Sequence, residues 1–310
     1  MLPRFLENIT TKYSFVEVIH TGVSSEIYLV HDTSGNEYAL KLFKKDVSDI
    51  AFKNELEICK LLCNVENPDF IRYISSSEED KVTNAKYIVF ELFKKHSLAD
   101  FINPDNPLGE KLIKFIFYQI CKMVERLHKL HFSHRDLNLN NILMDQYINL
   151  KLGDFGSAKY CLNQNGCNLL LSDKIDTPYY TPPEVGKRPY DGQKVDIFSL
   201  GVLLLYMRTG KQIFEIHKEK IYKLIKKQKY ENFWYIVESG NNNMKFTPEF
   251  KDLINSMLDY NYKNRPETAD ILNHPYFDEI RCLDYDGFLA YEKAIRKKMK
   301  EIEETFDDNE

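Results

Sequence analysis

The spacing of apolar residues shifts along this chain, from mostly every second position in its first hundred residues to every third or fourth after residue 97, and that shift restricts the fold more than any single residue. Residues 14 to 43 hold three strand-like runs, FVEVI, EIYLV and EYALKLF, rich in β-branched and aromatic side chains. Turn residues separate them at Thr21-Gly22 and at Ser34-Gly35-Asn36. From Asp49 to Cys63 the spacing of Phe52, Leu56, Cys59 and Cys63 predicts a helix. Two more strand-like runs follow, FIRYIS and KYIVFEL, and after residue 97 the pattern is mostly helical. Its longest stretch is GEKLIKFIFYQICKMVERLHKLH, and apolar runs around NILMD and INLKLGDFG predict a small hairpin. A β-rich half holding one helix, followed by a helical half, is an α+β arrangement in two lobes.

At 310 residues the chain is long enough for two packed lobes. A net charge of -5 gives no electrostatic reason to expect nucleic acid or an anionic membrane as the main partner. Cys59, Cys63, Cys121, Cys161, Cys167 and Cys282 form no C-x-x-C pair, so free thiols are expected rather than a disulfide framework or a zinc site. The first residues, MLPRFLENITTKYSF, lack the charged-then-apolar order of a secretory signal. The longest apolar run, FSLGVLLLYM, is too short to span a bilayer. These features predict a soluble chain of the cytoplasm, with the nucleus as the alternative. Nothing in the composition sets an oligomeric state.

Two short segments carry the chemistry. In HFSHRDLNLNNILMD, residues 131–145, Asp136 and Asn141 stand five positions apart, and GDFG follows with Asp154. Read alone, each is also a turn rich in Asp and Asn that caps local structure. Together and in this order they resemble the catalytic loop H-R-D-x-x-x-x-N and the metal-binding loop D-F-G of eukaryotic protein kinases. The resemblance implies that Asp136 orients the attacking hydroxyl and accepts its proton. It also implies that Asn141 and Asp154 hold Mg²⁺ against the phosphates of ATP.

Further segments match the same family in order. YALKLF resembles V-A-I-K, which gives Lys41 a contact with the α- and β-phosphates. Glu55, in FKNELEICKLL, is its expected ion-pair partner, with Glu57 as the alternative. DTPYYTPPEV resembles the close of an activation segment, which implies Thr177 near Asp136 and a Glu184–Arg265 ion pair. VDIFSLGVLL is similar to D-x-W-S-x-G, with Asp196 bonded to the catalytic-loop backbone, and ILNHPYF to the family's H-P-W-F. The resemblance covers residues 13–277, with an N-lobe over about 13–91 and a C-lobe over about 92–277 whose pattern is similar to calcium/calmodulin-dependent kinases. It implies a small antiparallel sheet with one main helix, then a larger helical lobe, acting as a serine/threonine kinase on a protein substrate. Residues 278–310 read as an amphipathic helical tail, with Phe288, Tyr291, Ile295, Met299 and Ile302 on one stripe.

The nucleotide pocket follows from the same resemblance. In VIHTGVSSEIYLV only Gly22 remains of G-x-G-x-x-G, with His20 and Ser25 at the outer positions. Ile27 and Ala39 are expected to cover the adenine from one side and Leu143 from the other. Glu91 and Phe93 are expected to offer backbone groups to its edge, Phe90 to close the rear, and Ser97 to meet the ribose.

One residue departs from the pattern. Serine/threonine kinases usually carry lysine two positions after the catalytic aspartate, and tyrosine kinases arginine four positions after it; here these sites are Asn138 and Asn140. An amide still donates hydrogen bonds but brings no charge, which predicts a slowed kinase. An ATP-binding pseudokinase scaffold is the alternative. Thr177-Pro178 fits serine/threonine specificity. Arg135 is expected to bind an anion on the activation segment, with Asp173 partly standing in for a phosphate and Ser172 beside it as the phosphorylatable residue. His128, His131 and His134 read as local packing rather than a metal site. The lysine-rich stretch 217–237 reads as one helix with a solvated face.

Overall fold

The computed structural model describes residues 12–45, 47–64, 69–78, 85–93, 95–102, 108–145, 149–163, 165–175, 179–242 and 244–307, without the side chains of 95, 96, 216, 217, 285, 299 and 302–307. These form two compact units, one from Met1–Lys95 with Lys151–Gly156, the other from His96–Leu150 with Ser157–Glu310.

The first unit is a five-stranded antiparallel sheet in the order β1-β2-β3-β5-β4. Its strands are β1 (Tyr13–Thr21), β2 (Ser25–Asp32), β3 (Glu37–Phe43), β4 (Tyr73–Ser77) and β5 (Tyr87–Glu91). Alternation sorts side chains onto two faces. Tyr28, Val30, Leu40, Tyr87 and Val89 pack together on one face, edged by Tyr13, Phe15, Tyr38, Leu42 and Ile74. The register Ile27↔Lys41, Leu29↔Ala39, Ala39↔Phe90 and Lys41↔Ile88 therefore collects the other set on the opposite face. There Ile27, Leu29 and Ala39 are only half-buried around a buried Lys41.

Helix α1 (Asp49–Cys63) starts where Ser48 caps it, its hydroxyl accepting from Ala51 N. It buries Phe52, Leu56, Ile58, Cys59 and Leu62, with Phe52 edge-on to Phe43 at 5.0 Å. It also buries a charge, Glu55.

The run FIRYIS is not a strand from its first residue. Phe70 instead bridges Leu152 in parallel and meets Phe155 edge-on at 5.8 Å. Leu152 N donates to Asp69 O at 2.8 Å and Ile71 N to Leu152 O at 3.0 Å, which attaches residues 151–156 to this unit.

The second unit is mainly helical. Its helices are α2 (Glu110–Lys129), α3 (Gly192–Thr209), α4 (Ile213–Lys226), α5 (Tyr230–Ser239), α6 (Pro248–Met257), α7 (Thr268–Leu272), α8 (Asp278–Arg281) and α9 (Tyr285–Asp307). Apolar almost all round, α3 is a buried core helix. Asp191 caps its first turn and Gly210, at φ 66°, ends it in the left-handed conformation.

The lysine-rich stretch is two helices rather than one. Gln228 turns left-handed at φ 53°, its N–H reaching Ile225 O at 2.9 Å while Lys229 N reaches Leu224 O at 3.0 Å. That is a Schellman stop built without glycine. Helix α9 lies on α2, where Phe115 meets Phe288 at 5.2 Å and stacks on Tyr291 at 5.1 Å, and Ile295 is buried. Met299 and Ile302 have side chains outside the described set. No helix among the described residues is long and apolar enough to cross a membrane.

Candidate active site

Each unit assembles one cluster of polar groups. In the first, β3 presents Lys41, α1 presents Glu55, and the turn after Leu152 presents Asp154. The Lys41 ammonium bonds Glu55 Oε1 at 2.6 Å and Asp154 Oδ1 at 2.9 Å. Asp154 has φ 55°, a left-handed backbone that aspartate tolerates better than most residues. Gly156 N donates to Asp154 Oδ1 at 3.2 Å, and a Cβ at Gly156 would lie 3.0 Å from Glu55 Oε2. A side chain there would push the two carboxylates apart.

Burial lowers the pKa of Lys41, but Asp154 and Glu55 outweigh burial and raise it well above the ordinary value. Burial pushes the Glu55 carboxyl up and Asp154 adds to that, with Lys41 opposing. One ammonium thus serves two carboxylates.

The rest of the first unit's candidates lie along the sheet. Gly22 N closes on Ser25 O at 2.9 Å in the β1–β2 turn. Phe90 is buried at the end of β5, opposite Ala39 and Tyr73. Glu91 N donates to Arg72 O at 3.0 Å, and the Glu91 carboxylate accepts from Arg72 N at 2.8 Å and pairs with Lys151. The Lys151 ammonium also sits 5.2 Å from the Phe93 ring centre. Lys151 carried no sequence signal, since a lysine on a short strand reads as solvated.

In the second unit Asp196, fully buried on α3, accepts from His134 N at 2.8 Å, Arg135 N at 2.7 Å and His128 Nε2 at 2.9 Å. Two consecutive amides on one carboxylate fix the path of the loop, which passes Arg135 at φ 63°. Asp136 follows at once. Asn141 Nδ2 donates to Asp136 Oδ2 at 3.0 Å and to its carbonyl at 2.8 Å. Asn138 Nδ2 donates to Asp136 Oδ1 at 3.0 Å and to the same carbonyl at 3.2 Å, while its oxygen accepts from Asn140 N at 2.9 Å. An amide therefore meets each carboxylate oxygen of Asp136. Both amide hydrogens of Asn141 are turned to Asp136, so the atom Asn141 offers elsewhere is an oxygen, the donor type Mg²⁺ takes. Among the described residues no three His, Cys, Asp or Glu gather into a metal cluster. Leu143 is half-buried, and Ser97 bonds Asp100 through both its N–H and its hydroxyl. Thr177 lies outside the described residues.

Arg135 reaches the segment after the second motif. It donates to Asp173 Oδ2 at 2.8 Å, to Ser157 O at 2.7 Å and to the Tyr190 hydroxyl at 2.8 Å, and Tyr190 donates to Asp173 O at 2.8 Å. No motif pointed to Tyr190. Burial would raise the Asp173 carboxyl, but the hydrogen bond and charge of Arg135 outweigh it and hold it below the ordinary carboxylate range. A lowered pKa means the contact stabilises above the ordinary carboxylate range and is lost as pH falls through the lowered value.

Residues 13–277 match the family described as protein kinase domain. The chain is 29% identical, over 97% of its length, to sperm motility kinase 2B of Mus musculus, of which it covers 63%. It is 29% identical over 83% of its length to the cell cycle serine/threonine-protein kinase CDC5/MSD2 of Saccharomyces cerevisiae, covering 35% of that protein. Over 69% of its length it is 31% identical to NUAK family SNF1-like kinase 2 of Homo sapiens, covering 33%. The chain thus spans between about a third and two thirds of these relatives.

Proposed function

Because this chain belongs to the protein kinase family, we propose that it transfers the γ-phosphate of Mg-ATP to a serine or threonine hydroxyl of a protein. The observation that carries this reading is the Asp136 carboxylate, held at both oxygens by the amides of Asn138 and Asn141. A base fixed in this way is ready to orient a hydroxyl and take its proton without reorganising. Lys41, kept charged by Glu55 and Asp154, meets the α- and β-phosphates. Asn141 and Asp154 supply the oxygen ligands for Mg²⁺. Held by these two residues, Mg²⁺ would supply positive charge against the phosphates. The half-buried face of Ile27, Leu29 and Ala39 beside Lys41 suits an adenine ring. Six unpaired thiols fit a reducing compartment such as the cytoplasm.

Asn138 sets the rate. Its two amide hydrogens go to Asp136 and its oxygen to Asn140 N, so it positions the base and offers no cation to the γ-phosphate. Asn138→Lys is expected to raise turnover by about 10²-fold, the usual worth of one charge-stabilising donor in a transition state. A pre-steady-state assay with a serine peptide measures it.

Asp173 on Arg135 supplies this arginine with an anion without phosphorylation. Asp173→Ala is accordingly expected to lower the basal rate of unphosphorylated protein by about 5-fold to 10-fold, for loss of a partly exposed charged hydrogen bond. Unchanged basal activity in that variant contradicts this role.

The missing cation at position 138 and the missing outer glycines of the β1–β2 turn motivate a second reading, an ATP-binding scaffold that transfers no phosphate. A degenerate peptide library with serine, threonine or tyrosine as acceptor, incubated with labelled ATP and Mg²⁺, separates the two. Label on serine and threonine peptides supports the kinase, and label on none of them supports the scaffold.

A further inference from the structure

The β1–β2 turn lacks the outer two glycines of a phosphate-binding loop, and its hydrogen bonds show what holds it instead. Gly22 N donates to Ser25 O at 2.9 Å, Lys44 N donates to Ser24 O at 3.0 Å, and Lys44 Nζ donates to Gly22 O at 2.8 Å. One residue, directly after β3, thus binds two carbonyls of the turn. At its tip Val23 is 95% exposed. A Cβ on Gly22 would lie 3.2 Å from Ser25 O, so the turn is tightly drawn at this residue.

We propose that Lys44 is a positioning residue for the nucleotide triphosphate, acting through the Gly22–Val23 peptide; the inference rests on the reading of this chain as a user of ATP. In a trans peptide the carbonyl and the following N–H point in opposite directions, and the described residues contain no cis bond. Holding Gly22 O toward Lys44 therefore aims Val23 N–H the other way. Glycine is the residue at which a loop peptide flips most easily, since both signs of φ are open to it. Lys44 suppresses that flip at the one glycine left. A donor fixed in advance binds an anion with less loss of loop freedom than one that must be ordered on binding. The ammonium adds positive charge beside the turn.

The test measures affinity for Mg-ATP and, separately, for adenosine, in full-length wild type, Lys44→Met and Lys44→Arg. Lys44→Met is expected to weaken Mg-ATP by about 5-fold to 10-fold, as loss of one charged hydrogen bond does, and to leave adenosine binding within about 2-fold. The loss should appear in KM for ATP rather than in kcat, and Lys44→Arg should restore it. Mg-ATP binding equal to wild type, or equal weakening of Mg-ATP and adenosine, overturns the role of Lys44. A Lys41→Met control separates this from the functional reading. Should wild type bind Mg-ATP no better than Lys41→Met, it is the ATP-dependent function that falls.

Discussion

Asp136→Asn is expected to slow phosphotransfer to a peptide hydroxyl by about 10²-fold to 10⁴-fold, the range a positioned general base contributes. The substitution keeps the side chain's shape, so the effect belongs to the lost carboxylate. Asn138 and Asn141 each aim an amide hydrogen at one oxygen of Asp136. Asparagine at position 136 has one acceptor oxygen in place of two and no group that takes a proton at neutral pH. Mg-ATP affinity should stay within about 2-fold, because the role proposed for Asp136 is on the hydroxyl and not on the nucleotide. Quenched-flow phosphotransfer together with a nucleotide titration reads both quantities.

The second large effect is on stability. Arg265 bonds both oxygens of Glu184, at 2.6 and 3.0 Å, with both side chains wholly shielded from solvent. Arg265 also donates to Asp259 O at 2.9 Å and to Lys194 O at 2.9 Å, and lies 4.9 Å from the Phe198 ring centre. Arg265→Met leaves a buried carboxylate and two backbone carbonyls without their donor. The expected loss is about 3–5 kcal/mol, as for other buried pairs broken on one side. Adding Glu184→Gln to that variant removes the stranded charge and should recover part of the loss. Urea unfolding of the single and double variants measures both.

Local order made much of the fold readable. EYALKLF lies between turn residues and matches β3, and α1 has the bounds its apolar spacing indicates, with Ser48 placed to cap it. The errors occurred where a distant residue decided the outcome. Phe70 pairs with Leu152, eighty-two positions away, so FIRYIS begins as a bridge and not as a strand. The break between α4 and α5 rests on a left-handed glutamine, and the sequence rules for helix ends look for glycine.

The candidate site divides in the same way. Asp136, Asn141, Asp154 and Lys41 stand in motifs with fixed spacing. The sequence showed that position 138 lacks a cation. It could not show where the amide hydrogens of Asn138 point, because Asp136 and Asn140 decide that in space. Tyr190 shares Arg135 with Asp173 across seventeen residues of chain. Lys44 gave no signal at all, since its partner is a backbone carbonyl, which every residue possesses.

Single-turnover transfer from labelled Mg-ATP to a basic serine-containing protein, with wild type compared to Asp154→Ala, decides whether this chain moves phosphate. Wild type should transfer slowly but measurably, at least about 10²-fold faster than the variant, which lacks the proposed metal ligand and a partner of Lys41. Equal rates for the two proteins, with Mg-ATP bound by wild type, would contradict phosphate transfer by this chain.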